Sequence, residues 1–535
     1  MIKGEFMPKS LRILVFLFLA ICLFVYVPTS LAAKSKITKA KTSNNQTSAT
    51  KTKPSVALPT SPPLQGYGPE ELKKAIDSLV TIMANDGVAA SVMAFSLKDN
   101  TIIYEYNSDM TLIPASVTKL FTTAAALHYL GPDYTYTTTL YRRGEIMADG
   151  TLSGDLILRG TGDPTLSSRF STSAANLFEG LAAAVKNMGI TAINGDIICD
   201  DSYFGAKGGV SGNTNYCGLI LNALSFNRSY IDVVVRPGKQ YKAPALVSFD
   251  PPLNCLTISN HAVTGSSRSR TQLNINNGGD SISINGSICS RRREYRKHVS
   301  VSPPALLAGG ALKTALLSAG VKINGAVRYA PQPMNVPKAF GIPQIGTSNG
   351  DITVEAVTTL HSPPLSYILQ TTNKNSNNFY AEQLLRSIGA AVKGEGSVTK
   401  GIEAVKDFLA QLDIKAWDIF LADGSGLSRA NMVSAKQVVK LLQYMHSHQH
   451  FSYFLDSLSI AGMDGTLRRR YIQTSGNNNL YGKTGTLNQV RTLAGYVNTK
   501  DGEPLAFCIL LNNTSSKWYS ATVKIGEMLA NRVKE

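Results

Sequence analysis

Three short strings in this 535-residue chain combine the residue types needed for acyl transfer through a serine. The first is Ser116-Val117-Thr118-Lys119, the second Ser376-Asn377-Asn378, and the third Lys483-Thr484-Gly485 with Thr486 after it. A serine hydroxyl is a poor nucleophile at neutral pH, and a lysine made neutral by burial or nearby positive charge can take its proton. Residues three apart share one helical face, so Lys119 reaches Ser116 if a helix begins there. Lys483 supplies a cation for a terminal carboxylate, and Gly482 and Gly485 beside it let a substrate backbone approach a strand edge. Singly the strings say little: Ser-x-x-Lys arises by chance about twice in a chain this long, and Ser397-Val398-Thr399-Lys400 repeats the first letter for letter.

Surrounding patterns separate the two copies. After Ser116 the apolar residues Val117, Leu120, Phe121, Ala124 and Leu127 recur at helical spacing until Gly131-Pro132, so a helix opens at Ser116 with its positive end toward a developing anion. The Ser397 copy follows Gly394-Glu395-Gly396, opens a helix carrying Ile402, Val405, Phe408 and Leu409, and reads as an N-cap. Ser376 lies in the polar cluster 371–378, a loop entering a helix with Phe379, Glu382, Leu384 and Leu385. That loop either aims Ser376 and Asn378 into a cleft or merely caps the helix. The third string leads into apolar runs at 493–497 and 505–511 separated by Lys500-Asp501-Gly502-Glu503, an antiparallel meander.

The beginning of the chain sets the compartment. Lys3, Lys9 and Arg12 precede an apolar run from Ile13 to Val27, and Ser30-Leu31-Ala32 follows, so 1–33 reads as a secretory signal peptide, with an uncleaved anchor as the alternative. Cys22 lies inside the apolar run, which argues against lipidation. Residues 34–63 hold no acidic residue and almost nothing large and apolar, the composition of a flexible basic linker. The formal charge of +17 would suggest nucleic acid in a cytosolic protein, whereas an exported one meets anionic lipid headgroups or envelope polymers instead. Arg291-Arg292-Arg293 with Arg296 and Lys297 is either such a contact or a solvated loop. Cys508 reads as a buried thiol, while Cys199, Cys217, Cys255 and Cys289 allow up to two disulfides in three connectivities. His446-Ser447-His448-Gln449-His450 is a metal tract or a polar helix end. Ser425 lacks the five-residue nucleophile elbow, so its turn is expected to shape the rim of a site, with Asp423 and Arg429 bracing it.

In this order the strings resemble those of the class C low-molecular-mass penicillin-binding proteins, the D-alanyl-D-alanine carboxypeptidase/endopeptidase family of peptidase S13. The resemblance extends to 158–165, 423–429 and 461–467 and covers the chain from about residue 64 to its end. It implies an α+β, penicillin-recognising transpeptidase-like (β-lactamase-like) domain with an antiparallel sheet flanked by helices. About 257 positions part Lys119 from Ser376, matching the family's large insertion. The expected division is 64–143 and 347–535 for the main domain and 144–346 for the insertion, mainly β with a helix near 304–318. Within the insertion, 222–300 would nest inside a domain made of 144–221 and 301–346.

By resemblance Ser116 attacks the carbonyl between two D-alanines, Lys119 takes its proton and Ser376 relays a proton to the leaving amine. Asn378 would hold the substrate amide, Lys483, Thr484 and Gly485 would receive the terminal carboxylate, and Ser116 and Thr486 N–H groups would form the oxyanion hole. The implied partners are peptidoglycan stem peptides and β-lactams, with no cofactor, metal or nucleic acid and an undefined oligomeric state. One departure concerns the aromatic and acidic pair some members carry after the strand ending near Asp200. Residues 208–215 here hold neither, which leaves the preferred stem peptide open. Two other classes compete. A β-lactamase would share the machinery, but no Glu-x-x-Leu-Asn segment is present; a non-catalytic wall-binding protein would leave three intact strings unexplained.

Overall fold

The computed structural model describes residues 66–534 except 168–173, 206–213, 217–218, 254–255, 279–280, 302 and 331–353. The expected signal peptide, the linker, Cys217, Cys255 and most of 208–215 lie outside the described residues. Six antiparallel strands form the main sheet, in the spatial order Ile102–Tyr106, Ala89–Ser96, Pro504–Asn512, Val490–Asn498, Leu480–Leu487 and Ser459–Ile460. The hairpin anticipated around Gly502 joins two of them.

The central strand Pro504–Asn512 shows why the sheet is covered on both sides. Successive side chains point to opposite faces. Leu505, Phe507, Ile509 and Leu511 pack with Leu72, Ile76, Val80 and Met83 of helix Pro69–Asn85 and with Ile525 and Leu529 of helix Ala521–Ala530. Ala506, Cys508 and Leu510 face a second core built from helices Lys119–Leu130, Asn378–Lys393, Val398–Ala410 and Ala435–Ser447. Burial raises the thiol pKa of Cys508 well above its ordinary value, in keeping with a small hydrophobe. Residues Lys119 to Leu127 are all buried, so this helix lies in the interior rather than on the surface.

Two sequence expectations change here. Residues 365–374, read partly as loop, form a helix because Leu365, Ile368, Leu369 and Thr372 repeat on one buried face, and the polar residues cluster at its end. Ser116 does not open the α-helix itself. It sits in a 3-10 turn, Ala115–Thr118, that runs straight into the helix at Lys119.

Between these elements lies a second sheet of seven strands, from Thr137–Ile146 to Val354–His361, with both parallel and antiparallel pairings. Helices Ala174–Asn187 and Ala305–Ser318 pack on it. The second was anticipated; the first was not. Two three-stranded sheets branch off, one of Tyr230–Arg236, Leu246–Asp250 and Tyr295–Ser300, the other of Thr257–Gly265, Gln272–Asn277 and Ser281–Cys289. Cys199 is buried and Cys289 partly exposed. Among the described residues no helix is long and apolar enough to cross a membrane. Of the basic cluster, Arg296 forms ion pairs with Glu294 at 2.6 Å and Asp250 at 2.5 Å.

The terminal strands and helix are tied by a buried ion pair between Arg532 and Glu503, 7% and 4% exposed, with Ser96 Oγ donating to the same carboxylate. Arg532→Ala strands that carboxylate and is expected to cost about 3–5 kcal/mol, measured as a lower urea midpoint.

Candidate active site

Ser116, Lys119, Ser376, Asn378 and Lys483 come from three distant segments and are joined by hydrogen bonds. Lys119 is fully buried, and its Nζ donates to Ser116 Oγ at 3.1 Å, Asn378 Oδ1 at 2.6 Å and the Ser425 carbonyl at 2.6 Å. Three donors thus meet three acceptors. Lys483, also fully buried, donates to Ser376 Oγ at 3.0 Å and to the Thr484 carbonyl at 2.8 Å. Thr484 Oγ1 bonds Thr466 Oγ1 at 2.7 Å, while Thr486 is exposed further along the strand.

Local backbone geometry delivers these groups. Ala115 and Ser376 have φ of +48° and +51°, the left-handed region that non-glycine residues seldom adopt and that concentrates at functional sites. Asn377 caps the helix after Ser376, its Oδ1 accepting from Tyr380 N at 3.3 Å, which turns Asn378 onto the face toward Lys119. The serine turn is clamped from two sides. Thr492 Oγ1 donates to the Pro114 carbonyl at 2.7 Å, and Gly485 passes so close that a Cβ there would stand 3.0 Å from Ser116 N. At Gly426, φ +81°, a Cβ would fall 1.8 Å from the Ala115 carbonyl oxygen.

The Gly-rich turn is therefore floor, not rim. Ser425 is fully buried, and its contribution is a main-chain carbonyl. The same peptide unit is polarised from behind, because Gly426 N–H donates to Asp423 Oδ1 at 2.6 Å. Asp423 also takes Ser428 N at 2.7 Å and Asn431 Nδ2 at 2.8 Å, so it braces the turn as expected. Arg429 does not; it reaches out to the Asn488 carbonyl at 3.0 Å. Glu382, which the sequence offered only as a helix residue, is fully buried and accepts Ser425 N–H at 2.8 Å. Its spacing of four from Asn378, on the same helical face, was the available signal.

Electrostatics follow from burial. Desolvation pulls Lys119 down to about 7, with Glu382 and Asp423 opposing the shift. Desolvation likewise drives Lys483 well below its ordinary value, and the Lys119 charge adds to this. Glu382 moves upward, first through burial and then through Asp423. When Lys119 is neutral its contact with Ser116 can reverse, the hydroxyl donating to Nζ, which is the geometry of a general base.

The repeated tetrad lies elsewhere in role: Ser397 Oγ accepts Lys400 N at 3.2 Å as a helix cap, and Lys400 pairs with Glu403 at 2.7 Å. The histidine tract closes helix Ala435–Ser447, with His448 packed on Tyr444 and His128. Among the described residues no cluster of three or more metal-donor side chains is present.

A serine bonded to a buried lysine of lowered pKa, beside a strand bearing a second buried lysine, is an arrangement in keeping with a serine-type hydrolase. The chain belongs to the D-Ala-D-Ala carboxypeptidase 3 (S13) family, whose model matches residues 72–532. It is 32% identical over 489 residues to the D-alanyl-D-alanine carboxypeptidase of Actinomadura sp. (strain R39), covering 87% of this chain and 85% of that one. It is 27% identical to the D-alanyl-D-alanine carboxypeptidase DacB of Haemophilus influenzae, covering 81% and 87%. The crystal structure of Haemophilus influenzae penicillin binding protein 4 complexed with a β-lactam superposes with a TM-score of 0.64 at 26% identity, covering 83% of this chain and 96% of that one.

The pH dependence tests the lysine. Acylation by fluorescent penicillin should rise through pH about 7 and then level off, since only neutral Lys119 accepts a proton. In Glu382→Gln the carboxylate that favours the ammonium is gone, so the midpoint should move to lower pH; a stopped-flow pH profile of both proteins reads this.

Proposed function

We propose that this protein is a serine D,D-peptidase of the cell envelope that acts on peptidoglycan stem peptides through an acyl-enzyme on Ser116. The observation that carries the reading is the buried Lys119 joined at once to Ser116 Oγ and Asn378 Oδ1. In the reaction Ser116 Oγ bonds to the carbonyl carbon of the penultimate D-alanine while its proton passes to Lys119. Ser376, held by Lys483, gives its proton to the leaving amine as the C–N bond breaks and is reprotonated with the one Lys119 took, so the proton is relayed and both groups are restored. Water then hydrolyses the ester and restores the serine.

Each remaining residue has a physical task. Asn378 orients the substrate amide and holds Lys119. Lys483, Thr484 and Gly485 receive the terminal carboxylate, whose charge favours the ammonium form of Lys483. The N–H groups of Ser116 and Thr486 stabilise the oxyanion, an effect of about 3–4 kcal/mol per donor in hydrolases. Trimming of terminal D-alanine and cleavage of D,D cross-links share this acyl-enzyme. A β-lactam enters by the same route and stays as a stable ester.

Two measurements test the proposal. Incubation with fluorescent penicillin, digestion and mass spectrometry should place the label on Ser116; Ser116→Ala should lose all labelling and Ser397→Ala keep it. Release of D-alanine from a pentapeptide should disappear with Ser116→Ala as well. Labelling that survives Ser116→Ala would overturn the assignment, and rapid nitrocefin turnover would favour a β-lactamase.

A further inference from the structure

Beside Ser376 the surface sinks into a cleft of about 660 Å³ whose far wall comes from the insertion. Asn375, Ser376 and Asn377 form one side, and Arg228, Tyr230 and His298 stand on the other. We propose that this cleft receives the leaving strand of a D,D cross-link and that Arg228 and His298 bind its carboxylates. The inference rests on the acyl-serine reading above and adds the residues that hold the departing strand.

The wall carrying Arg228 is built rather than incidental. Asn227, Arg228 and Ser229 have φ of +50°, +58° and +67°, three left-handed residues in a row. Such a backbone persists only where its surroundings over-determine it. Here Asn227 N–H donates to the Leu166 carbonyl at 2.7 Å, Asn227 Nδ2 to the Tyr230 carbonyl at 3.0 Å, Ser229 Oγ to the Ile220 carbonyl at 2.8 Å and Val301 N–H to the Ser229 carbonyl at 3.0 Å. The turn is thus pinned by several separate segments. A guanidinium with five donors in a rigid fork suits carboxylates. Next to it the His298 ring lies flat on Tyr230, centroids 4.5 Å apart and planes 11° from parallel, with Nδ1 fixed by Asp232 at 2.8 Å. This stack is a rigid polar and aromatic platform. Asp232 also meets Arg296 at 3.6 Å, but Arg296 pairs more closely with Glu294 and Asp250, so the positive charge offered to an anion here is that of Arg228 beside the His298 ring.

Location selects the occupant. Ser376 lines both the catalytic centre and the cleft, and in the proposed reaction it delivers the proton to the leaving amine. Whatever extends beyond that amine continues into the cleft. A leaving D-alanine ends at the carboxylate held by Lys483 and has nothing further to place. The leaving strand of a cross-link departs through its side-chain amine and carries the rest of a stem peptide, including free carboxylates. The step balances in the same way as trimming: Ser116 Oγ bonds to the acyl carbon, the C–N bond to the side-chain amine breaks, the serine proton reaches that nitrogen, and water later releases the acyl group.

The test uses a purified D,D-cross-linked muropeptide dimer, the uncross-linked pentapeptide and fluorescent penicillin. Arg228→Asn keeps a residue tolerant of the left-handed turn, and His298→Ala removes the platform without touching the turn. Both variants should lose roughly tenfold or more in kcat/KM on the dimer, mainly through KM, while pentapeptide hydrolysis and penicillin labelling stay within about twofold. Amidating the carboxylates of the leaving strand should reproduce the loss in the wild-type protein. Unchanged dimer cleavage in both variants, an equal fall on dimer and pentapeptide, or a wild-type protein that is labelled yet leaves the dimer intact would each overturn the inference. Absence of labelling in the wild-type protein would overturn the acyl-serine reading instead.

Discussion

Burial of the Lys119 amine governs the site. An ammonium taken out of water pays a desolvation cost of several kcal/mol, and here that cost is met by three oxygen acceptors rather than by a carboxylate in direct contact. A direct ion pair would have locked the proton on. Glu382 and Asp423 instead act across main-chain groups of the 424–426 turn, near enough to oppose the loss of charge and too indirect to prevent it. Much of the surrounding structure serves this balance. The interior helix carries Lys119, the helix after Ser376 brings Asn378 and Glu382 to it from the side, and the turn at Gly426 supplies the carbonyl beneath.

The grouping of Ser116, Lys119, Ser376, Asn378 and Lys483 was legible in the sequence because it depends on short spacings. Ser116 and Lys119 occupy one turn, Ser376 and Asn378 one helix entry, and Lys483 one strand. The Ser397 copy shows the limit of such spacing: identical letters become a cap when the following helix is amphipathic and half exposed, and join a buried polar cluster when the helix is interior. Glu382 went unrecognised because an acidic residue within a helix normally faces water, and only the packing of the distant 423–426 turn encloses it. Arg429 was assigned to that turn by proximity in sequence, whereas its long side chain spans outward to Asn488.

The fold was legible to a similar depth. Continuous apolar runs on either side of a polar turn identified the final hairpin, since both its strands are buried along nearly their whole length. The helix at 174–187 was missed although Phe178, Leu181, Ala182 and Val185 line its buried side; it packs with Ala305–Ser318, more than a hundred residues away in the chain. The helix at 365–374 was obscured by Thr, Asn and Lys near its end, where side chains compete for backbone groups and lower helix propensity.

Lys483 has a further consequence. Its amine lies in the interior with its proton weakly held, bonded only to neutral oxygens. In the proposed role the arriving carboxylate is the first full negative charge it meets. Desolvation and the Lys119 charge loosen its hold on a proton and an arriving carboxylate tightens it, so binding of the anion and of the proton are coupled. A neutral look-alike of the substrate brings no charge to tighten that hold and gains nothing from the coupling.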